Sequence, residues 1–273
     1  VKAADAPSVI TPALGTALRQ GVASPVSRDL AEETPVALVY DGSTEAVMLA
    51  TPQDLADFAL GFSLTEGMIA SKDDIKSLEI LDLEGGMEAR MWLAPERTQD
   101  VAARRRSRMG PTGCGLCGVE SLAEANRAVP VVSSGLQLTA AEVLAARSAL
   151  DQAAALGAAT RATHAAGFWT TADGLVLVRE DVGRHNALDK LAGAMALAGV
   201  DAAEGAVVLT SRVSLEMAQK TAMIGAPVLI AMSAPTALAV RVAEQSGLTL
   251  VAVARSDGFE VFTHPERIDF SVG

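Results

Sequence analysis

The chain has 273 residues, half of them hydrophobic and a fifth charged, which excludes a disordered or fibrous protein. At that length roughly three-quarters of the unfolded surface can be buried, so neither disulfides nor metals are needed to hold the fold. A net charge of -11 argues against a general nucleic-acid binder, whose phosphate contacts need a basic face.

Residues 1–27 mix Ala, Pro, Ser and Thr, with Pro7, Pro12 and Pro25 interrupting any periodicity, and read as a mobile tail without a signal-peptide run. Order is expected from near Glu32. Val36 to Tyr40, Asp41-Gly42 and Ala46 to Ala50 read as a hairpin. Thr51-Pro52 reads as a helix start, followed by Leu55, Phe58, Ala59 and Phe62 on one face. Strands Ser77 to Leu83 and Met87 to Leu93 flank Gly85-Gly86. From Arg97 to Gly118 an arginine-dense stretch with no hydrophobic period reads as a mobile loop. Thr139 and Glu142 make a capping box for a helix running to about Leu156.

From His164 the pattern becomes strand and helix in alternation: a hairpin over Gly167 to Thr171 and Leu175 to Arg179, then a helix from His185 to Leu197. Strands at Ala206 to Thr210, Pro227 to Met232 and Leu248 to Ala254 are separated by helices at Val213 to Ile224 and Thr236 to Gln245. This spacing predicts parallel strands covered by helices. The longest apolar runs, such as Ala226 to Met232, fall far short of the ~20 residues of a membrane span, so a cytoplasmic protein without a membrane partner is expected.

Cys114 and Cys117 are the only cysteines, set in Gly113-Cys-Gly-Leu-Cys-Gly118. Thiols separated by two intervening residues can share a zinc ion, form a redox disulfide or carry sulfur as a persulfide. With no second cysteine pair and only three histidines, a structural zinc is disfavoured and no metal ligand is assigned. The same glycines satisfy G-x-G-x-x-G, but no strand precedes them, so the dinucleotide reading is discounted. Reactive sulfur chemistry is favoured over two inert buried thiols. The arginines upstream are either a solvated run or a device that lowers the Cys114 pKa and attracts anions. His264-Pro-Glu266 spells half of a zinc-deaminase signature, in the wrong order relative to the cysteines.

Asp181-Val-Gly-Arg-His-Asn186 joins a strand to a helix, which places Arg184 and His185 at a strand's carboxyl end. Ser211-Arg212, Ser233 to Thr236 and Arg255 to Gly258 repeat the situation, and together suggest a pocket for an anionic ligand. For His185 alone, a structural hydrogen-bonded histidine is the competing reading.

The strings Pro35-Val-Ala-Leu-Val-Tyr-Asp-Gly42, Phe58 to Gly67, Thr112-Gly-Cys-Gly-Leu-Cys-Gly-Val-Glu120, Glu180 to Lys190 and Ser211 to Lys220 together resemble the FdhD family of formate dehydrogenase accessory sulfurtransferases, from about residue 30 onward. The resemblance implies an α/β fold: a mobile tail over 1–27, a smaller N-terminal α/β domain over 28–135 that includes the Cys loop 97–118, and a cytidine-deaminase-like αβα cofactor-binding domain over 136–273. It implies a homodimer that takes sulfur from a cysteine desulfurase as a persulfide on Cys114, with Cys117 its neighbour. The sulfur would pass to the molybdenum or tungsten bis-molybdopterin guanine dinucleotide cofactor before its insertion into formate dehydrogenase. The alternative is a non-catalytic chaperone for the same cofactor. The cofactor segment falls on Val253, Ala254, Arg255, Ser256, Asp257 and Gly258, where this sequence is smaller and more acidic than its relatives, and GDP is implied as a surrogate ligand.

Overall fold

The computed structural model describes residues 8–98 and 129–271, and regular structure begins earlier than the sequence suggests. β1 (Ile10–Arg19) and β2 (Val22–Ala31) form a two-stranded antiparallel ribbon running from the pair Ile10 and Ala31 to the pair Arg19 and Val22. Gln20 and Gly21, at φ 50 and 81, turn it. The reading of 1–27 as an irregular tail is therefore corrected from residue 10 onward. The prolines misled because each strand of a lone ribbon has a free edge, where a missing N–H costs no ladder bond. Neither face is fully buried, so no alternating apolar signal marks the strands.

The N-terminal unit is a sheet of β3 (Thr34–Tyr40), β4 (Ser43–Ala50), β5 (Ile75–Leu83) and β6 (Gly86–Leu93) in the order β4-β3-β6-β5. Both predicted hairpins are present, and β3 pairs with β6 in parallel. Val36, Leu38, Tyr40, Ala89 and Met91 alternate inward onto α1 (Leu55–Thr65). The helix starts three residues later than Thr51-Pro52 implied. Thr51 is instead claimed by a distant partner: its N–H donates to Asp181 Oδ2 at 3.0 Å, and its hydroxyl accepts from the Val182 N–H at 3.1 Å.

In the C-terminal unit β7 (Leu138–Thr139) leads into α2 (Ala140–Ala153), and the predicted Thr139–Glu142 capping box is formed. A break at Ala154 separates α3 (Ala155–Thr160), because the Glu180 carboxylate caps the N–H groups of Leu156 and Gly157 at 2.9 and 2.7 Å. There follow β8 (His164–Thr170), β9 (Gly174–Asp181), α4 (Arg184–Ala198), β10 (Gly205–Leu209), α5 (Leu215–Ile224), β11 (Val228–Ala231), α6 (Ala237–Gln245), β12 (Thr249–Ala252) and β13 (Glu260–Thr263). They build one sheet in the order β13-β12-β11-β10-β8-β9. The parallel expectation holds for β10 to β12, while β8 and β13 run antiparallel to their neighbours. β14 (Ile268–Asp269) closes on β7. Helices α4, α5 and α6 cover one face around Leu188, Val207, Met217 and Leu229; α2 covers the other around Leu150, Val208 and Ile230. Residue 132 already belongs to this unit, since the Val132 N–H donates to the Ser246 carbonyl at 2.8 Å.

The two units meet helix to helix. α1 is buried almost all round because its sheet covers one side and α4 the other. A Cβ at Gly61 would collide with the Asp189 carbonyl, and one at Gly193 with the Asp57 carbonyl, so each glycine admits the other helix's backbone. Gly61→Ala should therefore force the helices apart and cost about 3 kcal/mol, at the upper end of overpacking penalties. Denaturant unfolding of the variant should show a clearly lowered midpoint, and an unchanged midpoint would contradict this packing.

Candidate functional site: a cationic sheet edge

The topology places the carboxyl ends of β9, β10, β11 and β12 on one edge of the large sheet, as the strand-helix alternation implied. After these strands the chain turns into α4, α5 and α6 in succession, so three helix N-termini face the same edge. Thr236 caps α6 through the Ala239 N–H at 3.2 Å. Ser214, at the start of α5, uses its hydroxyl for no such cap, and this buried oxygen has no hydrogen-bond partner.

Arg184 and Arg212 stand after β9 and β10 with no carboxylate in salt-bridge range among the described residues, and the buried Nε of Arg184 is unpartnered. His185 Nε2 lies 2.6 Å from Glu216 Oε2, out of line for a hydrogen bond. Sequence reasoning missed two contributors here. His164, at the start of β8, comes to the edge because β8 runs antiparallel to β10; no motif marks it. Its pKa is lowered, first by burial and then by the charges of Arg184, His185 and Arg212, against an opposing pull from Asp181. Glu216, from α5, is the other.

The turn after β12 closes the edge. Val253 holds φ 51, rare for a β-branched residue, while its N–H bonds the Ser233 carbonyl at 3.2 Å and the Ala254 N–H bonds the Ala231 carbonyl at 3.0 Å. The Arg255 guanidinium donates to the Met232 carbonyl, and the Arg255 N–H bonds the Gly258 carbonyl at 2.7 Å. Arg255 is thus fastened to the end of β11, while Ser256 and Asp257 are exposed. The 253–258 turn thus offers the edge main-chain and small polar groups, beside Arg184 and Arg212 from the neighbouring strand ends.

The rest of the 180–190 string has a different task. Asp181 accepts from the N–H groups of Thr51 and Gly183 and from the Asn186 amide, and pairs with Lys190 at 2.7 Å. Asn186 also donates to the Leu49 carbonyl at 2.8 Å, and Lys190 to that of Thr51 at 2.9 Å. Burial lowers the Lys190 pKa despite Asp181. Asp189 takes Lys220 at 2.8 Å and Thr65 at 2.6 Å. Burial alone would lower Lys220, but the charges of Asp189 and Glu66 outweigh it and hold the ammonium. These groups clamp α1 and β4 to the large sheet, and only Arg184 and His185 of the string reach the edge.

A family model described as FdhD/NarQ matches residues 31–269. The chain belongs to the FdhD/NarQ family. It is 51% identical over 254 residues to the sulfur carrier protein FdhD of Agrobacterium fabrum, covering 93% of this chain and 94% of that one. It is 53% identical over 241 residues to the protein of the same name in Cupriavidus necator, covering 88% and 83%. A crystal structure from Desulfotalea psychrophila, described as a formate dehydrogenase accessory protein, superposes with a TM-score of 0.76 at 27% identity, over 96% of this chain and all of that one. Within the quoted strings that fall on described residues, the groups around the Asp181 and Asp189 clamps are architectural, and the strand ends are the candidate site. Cys114, Cys117 and the loop from residue 99 to Gly118 lie outside the described residues; Arg97 is described, in a helical turn at residues 95–98 and 3.2 Å from Asp74. Among the described residues no metal-ligating cluster occurs, and no helix is long and apolar enough to cross a membrane.

His164 yields a pH prediction. Its folded pKa is depressed below 6.5, so unfolding takes up a proton: the stability this preserves is full above 6.5 and is lost as the pH falls through 6.5 toward the folded value. His164→Gln should flatten the fall in denaturation midpoint between about pH 7.5 and pH 5.5. An equally steep fall in the variant would assign the acid sensitivity elsewhere.

Proposed function

We propose that the chain is a sulfur carrier that accepts sulfur from a cysteine desulfurase as a persulfide on Cys114 and delivers it to the molybdenum or tungsten bis-molybdopterin guanine dinucleotide cofactor destined for formate dehydrogenase. The observation that carries the reading is the convergence of Arg184, Arg212 and three helix N-termini beside the 253–258 turn. That edge suits a ligand with several phosphates. Family membership and the names of the relatives support the sulfur chemistry, and the large sheet with helices on both faces would be the frame for the cofactor.

In the loading step the Cys114 thiolate attacks the sulfane sulfur of the desulfurase persulfide. A sulfur–sulfur bond forms on Cys114, the desulfurase bond breaks, and the electron pair leaves on the desulfurase cysteine as thiolate. Nothing is oxidised overall. Cys117, three residues on, would supply a second thiol to assist release. The cofactor is cargo: Val253 to Gly258 would hold its guanine end, and Arg184 and Arg212 would pair with its phosphates. The protein works in the reducing cytoplasm as a homodimer.

Incubation with a desulfurase and cysteine should add about 32 Da at Cys114, and Cys114→Ala should abolish both the adduct and formate dehydrogenase maturation. A chain that gains no mass yet supports maturation would be the non-catalytic chaperone instead.

Calorimetry should show GDP binding more tightly than ADP, because groups placed for guanine are left unpaired against adenine. Arg184→Gln with Arg212→Gln should weaken GDP at least tenfold, about 1.4 kcal/mol. Equal affinity for the two nucleotides would show that this edge does not read guanine.

A further inference from the structure

The described arginines divide by partner. Arg90, Arg97, Arg147 and Arg179 each face a carboxylate, and Arg255 and Arg267 donate to main-chain carbonyls. Arg184 and Arg212 belong to the sheet edge. Of the remainder, Arg19, Arg28 and Arg161 line one cleft of about 460 Å³ between the β1–β2 ribbon and α3. None of the three has a carboxylate in salt-bridge range or a side-chain hydrogen bond among the described residues. In a chain of net charge -11 carboxylates are plentiful, yet among the described residues none stands in salt-bridge range of these three exposed guanidiniums, and Asp29 is the one carboxylate-bearing residue at the cleft.

The strand register makes the cleft. Ala13 lies opposite Arg28, Gly15 opposite Val26 and Arg19 opposite Val22, so the two-residue alternation puts Arg19, Val26 and Arg28 on one face. Between the arginines that face carries only Ala13, Gly15 and Ala17 from β1, and small side chains leave a trough. Ala158 and Ala159 form the facing wall, and Arg161 follows α3 at φ 57. Asp29 and Ser27 also border the cleft, but alternation puts their side chains on the opposite face of the ribbon from Arg28.

We propose that this cleft is a binding site for a small oligophosphate ligand, separate from the sheet edge. Val26 is the one sizeable apolar group in the lining, so affinity must come from charge. Planar guanidiniums pair bidentately with phosphate oxygens, and an oligophosphate offers the highest density of such oxygens in a volume of this size. A free polyphosphate and the phosphate tail of a nucleotide share that chemistry. The site stands on geometry alone and does not depend on the sulfur-carrier reading.

The test uses the full chain carrying Arg184→Gln and Arg212→Gln, which weakens phosphate binding at the sheet edge. Titration with inorganic tripolyphosphate at low salt should still show one site, weakened by added salt. Adding Arg28→Gln and Arg161→Asn should weaken it at least tenfold; asparagine tolerates the left-handed conformation at 161, and circular dichroism should confirm an unchanged fold. Comparing tripolyphosphate with ATP separates the two sources: equal affinity assigns the site to the phosphate chain, and tighter ATP to a nucleotide. The proposal is overturned if the cleft substitutions leave tripolyphosphate binding unchanged, if the sheet-edge substitutions abolish it, or if hexaglutamate binds and tripolyphosphate does not.

Discussion

The crossing of α1 and α4 is the contact on which the other features depend. Gly61 and Gly193 let the two backbones meet without intervening side chains. Helices this close bring the N-terminal sheet within reach of side chains from the large sheet, and a hydrogen-bonded network then becomes possible. Asp181 and Lys190 reach Thr51, while Asp189 and Lys220 reach Thr65 and Glu66. Arg179 adds a third link to Asp57 at 2.7 Å. Removing one member would leave a buried charge without its counter-ion, a loss of about 3–5 kcal/mol.

This clamp explains why one short string holds both structural and binding residues. Asp181 fixes the turn after β9 through the Gly183 N–H and the Asn186 amide, and Arg184 follows that turn directly. The guanidinium is presented to the edge by a turn that Asp181 holds through both the Gly183 N–H and the Asn186 amide. Pre-organisation of this kind spares a ligand the cost of ordering the arginine's backbone. The strained φ at Val253 belongs to the same design: main-chain bonds to Ser233 and Ala231 hold the 253–258 turn against the ends of β11 and β12.

Much of the fold was legible in the sequence because periodicity is a local signal. The hairpins at Asp41-Gly42 and Asp173-Gly174, the capping box at Thr139 and the alternation after His164 all appear close to their predicted places. Failures occurred where a distant partner overrode local preference. Thr51 looked like a cap and became a ligand of Asp181; the helix through Leu156 was cut by Glu180, which is 24 residues away. The ribbon escaped notice because neither of its faces is fully buried.

The sequence by itself determined the family, the cysteine pair and the four strand ends that carry polar or cationic groups, since these reside in contiguous strings. Only the tertiary structure decided which groups work together. His164 joins Arg184 and Arg212 because β8 runs antiparallel to β10, and strand direction is set by sheet pairing, which no local window encodes. Arg255, expected at the ligand edge, is anchored there by its bond to the Met232 carbonyl. Arg19, Arg28 and Arg161 are separated by up to 142 positions and share one cleft because a register fixed by the Gln20-Gly21 turn lays the ribbon's small-residue face against α3.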